Sequence, residues 1–133
     1  MNDKVILSFF DYSTIMAQPY ANAGYLCYCV DLKHPPGEHK VGNIIKVGAD
    51  IMDWLPPYNS HIAASFFFVP CTHTAISGAR YFKRKGLSAL ISTLELWEKS
   101  IELAEYFKAP YFIENPVSTV ATYWRKPDYK FHP

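Results

Sequence analysis

Five chemically capable side chains stand close behind five apolar runs in this 133-residue chain. They are Asp11 after residues 5–10, Asp31 after 25–30, Asp50 after 43–47, Cys71 after 62–69 and Glu114 after Tyr111–Ile113. Carboxylates accept hydrogen bonds from hydroxyls and amides, a carboxyl group held neutral donates a proton, and a thiolate is a strong nucleophile. Polar residues end strands in any protein, but five in five place these groups where open parallel sheets bind ligands, outside the carboxyl ends of the strands. Two further readings of Cys71 stand beside a site on that edge: a nucleophile with His73 as base for thiol hydrolysis, and a small buried hydrophobe. Cys27 and Cys29 alternate on one run and face the same way, as core residues or, with Cys71 or His73, as metal ligands. No paired Cys-x-x-Cys exists, so no metal is expected. His34, His39, His61 and His132 show no shared spacing and are assigned no role, and Lys83-Arg84-Lys85 reads as a solvated turn or a phosphate contact.

The elements that must position these groups follow from the hydrophobic pattern. Residues 5–10 are β-branched and aromatic and nearly continuously apolar, the mark of a strand buried on both faces of a parallel sheet. Residues 15–23 predict one to two helical turns with Pro19 inside and Gly24 at the end. Residues 25–30, 43–47, 62–69 and 111–113 predict four more strands. The breakers in 33–40 predict a surface loop, and 52–55 a helical turn stopped by Pro56-Pro57. Leu87, Leu90, Ile91, Leu94, Trp97, Ile101, Ala104 and Phe107 recur at three- and four-residue intervals, predicting one amphipathic helix with Glu95 and Lys99 paired on its outer face. Right-handed crossovers then give an open, doubly wound α/β sheet of five mainly parallel strands with helices on both faces.

Composition narrows the function. Half of the residues are apolar and 17% aromatic, enough for a sizeable core in one domain. A formal charge of +1 leaves no bulk attraction for nucleic acid, so any such contact is local. Three cysteines form no disulfide framework and Met1 opens no secretory signal, which fits a reducing cytoplasm. The longest apolar runs are about half the ~20 residues that a membrane helix needs, so no membrane is expected.

Several short blocks have a more specific likeness: Phe9-Phe10-Asp11-Tyr12, Pro19-Tyr20, Ala23-Gly24-Tyr25, Val30-Asp31, Pro70-Cys71-Thr72-His73 with Ser77-Gly78-Ala79-Arg80, and Glu114-Asn115-Pro116-Val117. In this order they resemble the DNA cytosine-5 methyltransferases, in particular short phage-encoded proteins that look like the catalytic half. The likeness runs over nearly the whole chain. It implies a reduced S-adenosylmethionine methyltransferase-like Rossmann fold with strand order 3-2-1-4-5, one α/β domain over residues 1–133 without the target-recognition region, in a host cell's cytoplasm. The implied catalytic residues are Cys71, Glu114, Asn115 and Arg80. Cys71 would add to C6 of cytosine and activate C5 toward a sulfonium methyl, Glu114 would relieve charge at N3, and Asn115 would hold its loop. Arg80 would contact a base or phosphate. The implied S-adenosylmethionine site comprises Asp11, Tyr12, Ser13, Asp31, Asp50, Ile51 and Pro70, with ribose on Asp31 and adenine near Asp50 and Ile51. The turn after the first strand holds none of the glycines that the family carries there, since none precedes Gly24. DNA or a nucleotide is the implied partner, and a second protein or a second copy could complete the site. A different class stays open: a non-catalytic module that keeps the fold and acts through protein–protein contact.

Overall fold

The computed structural model describes residues 4–70, 82–114 and 128. In chain order the elements are β1 (Lys4–Phe9), α1 (Gln18–Asn22), β2 (Leu26–Val30), β3 (Gly37–Val41), β4 (Ile44–Gly48), β5 (His61–Phe67), α2 (Phe82–Phe107) and β6 (Tyr111–Ile113). They build an α/β fold around a six-stranded sheet in the order β3-β4-β2-β1-β5-β6. All pairings are parallel except that of β3 with β4. Contacts divide the chain into two compact units, one of Met1–Val69 with Leu96–Glu114 and one of Pro70–Glu95 with Asn115–Pro133. The first holds the sheet; the second holds, among its described residues, the first half of α2.

β1 lies at the centre because its run of Val5, Ile6, Leu7, Ser8 and Phe9 is buried at every position. Its two faces pack differently. Ile6, Cys27, Cys29, Ile44 and Phe66 form one core cluster with Ala17 and Ala21 of the α1 segment. On the opposite face Phe9 stacks on Phe67 at 4.8 Å, and the Trp54 ring packs on both Phe9 and Tyr28. Full burial of each such side chain contributes roughly 1.5–3 kcal/mol. α1 leads from β1 to β2, and α2 from β5 to β6, in opposite directions along the strand order.

Burial shapes the two described thiols. The Cys27 thiol is pushed up to about 11 by loss of solvent. Cys29 is pushed further, by burial first and then by the Asp11 carboxylate. Both are free and buried, so the core reading of this pair holds. Among the described residues no three metal-ligating side chains cluster, and no helix is long and apolar enough to cross a membrane.

Three expectations are corrected. Residues 33–40 are not all loop: Gly37–Val41 form β3, an antiparallel edge strand, so there are six strands rather than five and their order begins with this addition. Every residue of β3 is exposed, leaving no apolar alternation to mark it. Gly42 at φ +60° opens the two-residue turn that joins β3 to β4, as such hairpins favour. Second, α2 buries only part of its predicted stripe: Trp97 and Ala104 are buried and Ile101 and Phe107 half-buried, but Ile91 and Leu94 are exposed, and Thr93, Ser100 and Leu103 are buried outside it. Ser100 satisfies its hydroxyl by donating to the Leu96 carbonyl at 2.7 Å. Third, Lys99 pairs with Glu102 at 3.4 Å, one turn onward, not with Glu95.

Candidate site at the carboxyl edge of the sheet

The parallel strands all end on one edge, and their hydrogen-bond ladder continues past the strand ends. Asp31 N–H donates to the Val47 carbonyl at 3.0 Å and Phe10 N–H to Val30 at 2.8 Å. Phe68 N–H donates to Phe9 at 3.1 Å and Glu114 N–H to Phe67 at 3.0 Å. Asp31, Asp11 and Glu114 are thereby fixed at the tips of β2, β1 and β6. With strands about 4.8 Å apart, Asp11 and Asp31 are neighbours and Glu114 stands roughly 10 Å from Asp11 across the edge.

Asp11 is buried and faces inward. One carboxylate oxygen accepts from the Ser8 hydroxyl at 2.8 Å and the other from the Thr14 N–H at 2.8 Å. Asp11 thus holds the turn after β1. The turn itself is unusual: Phe10 and Thr14 have φ of +61° and +62°. Left-handed backbone costs an L-residue roughly 1–2 kcal/mol, and here the Asp11 carboxylate and the β2 ladder hold it. The conformation that glycine would adopt freely is present without glycine.

Asp31 is half-buried, and one of its oxygens accepts from Lys33 N–H at 2.8 Å. The other carboxylate oxygen has no hydrogen-bond partner among the described residues. Asp50 accepts from Met52 N–H at 3.0 Å, and Ile51 is buried, part of the wall rather than the surface. Tyr12 is exposed, Ser13 accepts from Ile15 N–H at 3.3 Å, and Pro70 is exposed. Burial raises the Glu114 carboxyl above the ordinary carboxylate range, toward the neutral form that can donate a proton. Cys71, Arg80 and Asn115 lie outside the described residues, as do His73 and Tyr81.

One residue of this edge went unassigned in the sequence. His34 is 4% exposed, with Nε2 3.0 Å from the Asp11 carbonyl, and its ring stacks on Tyr12 at 5.1 Å. It joins the loop after β2 to the turn after β1. Its backbone N–H closes a turn onto Asp31 at 3.2 Å, and an Asp followed three residues later by a histidine is the slight signal that marks it. Gly48 belongs to the same support, since a Cβ there would meet the backbone carbonyl oxygens of Pro35 and His34.

A cavity of about 540 Å³ lies elsewhere, beside α1 and the β3–β4 turn, lined by Gln18, Asn22, Asn43, Ile44 and Lys46; it shares only Thr14 with the β1 turn. No family model, no curated protein and no solved structure matches this chain.

Proposed function

We propose that the protein is an S-adenosylmethionine-dependent, cytosine-5 methyltransferase-like enzyme acting on DNA through Cys71. One observation supports this above the others: strands of one parallel sheet, β2 and β6, deliver a half-open carboxylate, Asp31, and a carboxyl group biased toward its neutral form, Glu114, to the same edge, with β1 and β5 between them. The cofactor supplies an electrophilic methyl group on sulfonium. Asp31 would accept the ribose hydroxyls with its unpartnered oxygen, and the Tyr12–Ser13 turn, Asp50 and Ile51 would complete the first unit's part of that site. The left-handed Phe10 and Thr14 backbone fits that group, because it gives the turn the path for which the family uses glycine. Cys71 would add to C6 of the pyrimidine while Glu114 hydrogen-bonds N3 as charge develops on the ring; once C5 carries the methyl group, loss of the C5 proton to solvent would expel the Cys71 thiolate and restore the ring. A buried ring edge must reach these groups, so the base is flipped out or the substrate is single-stranded.

A second reading has a specific observation in its favour. Both oxygens of Asp11 are already held by Ser8 and Thr14, which suits a chain that keeps the fold as a binding module without methyl transfer. Calorimetric titration with S-adenosylmethionine and its demethylated product separates the two: heat at micromolar to millimolar ligand is expected for the enzyme, and its absence favours the module. DNA carrying 5-fluorocytosine, with cofactor, should then form a covalent adduct with the parent chain and none with Cys71→Ser. A parent chain that binds cofactor but traps no DNA would overturn the methyl-transfer reading.

A further inference from the structure

We propose that two copies of the chain pair through β3, extending both sheets into one continuous sheet about a two-fold axis at His39. The geometry comes from the hairpin. Val41 faces Ile44 across the two-residue turn, so Val41, His39 and Gly37 direct their backbone groups at β4, while Glu38 and Lys40 direct theirs outward. An antiparallel second copy centred on His39 then sets Glu38 opposite the second copy's Lys40 twice over. Each pair can exchange two backbone hydrogen bonds, four in all, with His39 facing His39 between them. The side chains of these pairs carry opposite charges and are all exposed.

Charge on a sheet edge ordinarily keeps copies apart, because a lysine meets its own kind. Here the signs alternate two residues apart, and strand inversion turns that into a match: acidic 38 meets basic 40 at both ends. The outer pair fits too. Val41 is 70% exposed and would lie over the second copy's Gly37, where nothing lies within 4 Å of a would-be Cβ. Among the described residues no helix covers β3, since the connection from β2 to β4 runs through β3 itself and all five of its residues are exposed. None of this depends on methyl transfer.

Five residues a side make a small, polar interface, so the pair should form between about 10 μM and about 1 mM. Sedimentation of the full chain across that range is expected to show the mass rising toward twice the monomer's, less so at high salt. Lys40→Glu sets acid against acid, and Glu38→Lys sets base against base; each variant alone is expected to stay monomeric. Mixed in equal amounts, the two restore opposite charges at both positions and should dimerise at least as well as the parent. That rescue also excludes misfolding as the cause of the single-variant loss. A parent chain that is monomeric at 1 mM, a dimer that survives Lys40→Glu, or a mixture that stays monomeric would each overturn the proposal.

Discussion

Asp11 accepts two short hydrogen bonds in a site with almost no solvent, and its loss strands both donors. The Ser8 hydroxyl is fully buried, so Asp11→Ala is expected to lower the unfolding free energy by about 3 kcal/mol. Asp11→Asn can still accept from Thr14 and donate to Ser8, and should cost about 1 kcal/mol. Urea denaturation of both variants measures the difference. Glu114 acts in the opposite sense. Its raised pKa means that folding favours the neutral acid, so its contribution to stability is whole below the ordinary carboxylate range and is lost as pH rises through the raised value. Glu114→Gln mimics the neutral acid. Its melting temperature relative to the parent is therefore expected to rise between pH 4 and pH 7, and a constant offset across that range would contradict the assignment.

The turn after β1 and the loop after β2 form one supporting element for the edge. Thr14 holds φ +62° with a β-branched side chain, so Thr14→Gly should stabilise by up to about 1 kcal/mol in thermal melts. Ser13→Gly, one residue earlier and without that conformation, should destabilise by about 0.5–1 kcal/mol. Gly48→Ala forces its methyl against the Pro35 and His34 carbonyls and should cost about 2 kcal/mol. Because those carbonyls belong to the loop that orders Asp31, the same variant should weaken any ligand held there. These elements differ in how legible they are in the sequence. β1, β2, β4 and β5 announce themselves through Val5–Phe9-like apolar runs, and α2 through its length and spacing. β3 does not, since hydrogen bonds to β4 rather than burial define it. The acidic positions at the strand tips are visible in sequence. The inward turn of Asp11 and the burial of His34 are not, because the first depends on the left-handed path of the turn that brings Ser8 and Thr14 to its carboxylate, and the second on a contact between the first and second strand-end loops.

On the scale of the whole molecule, the sheet separates its chemistry from its core. Glu114, Asp31 and Asp50 are half-buried at the edge, whereas Cys27 and Cys29 sit fully covered in the α1-side cluster. That placement leaves an experimental handle. Alkylating and disulfide-exchange reagents attack thiolates, and two of the three sulfurs are held as shielded thiols far from ionisation near neutral pH. A colorimetric thiol assay on the native chain should therefore register no more than one prompt equivalent, and three once guanidinium has opened the fold. Two or more prompt equivalents would contradict the burial of the β2 pair. Cys71 could then be tagged with a fluorophore or crosslinker in the wild-type chain, without first mutating its two companions.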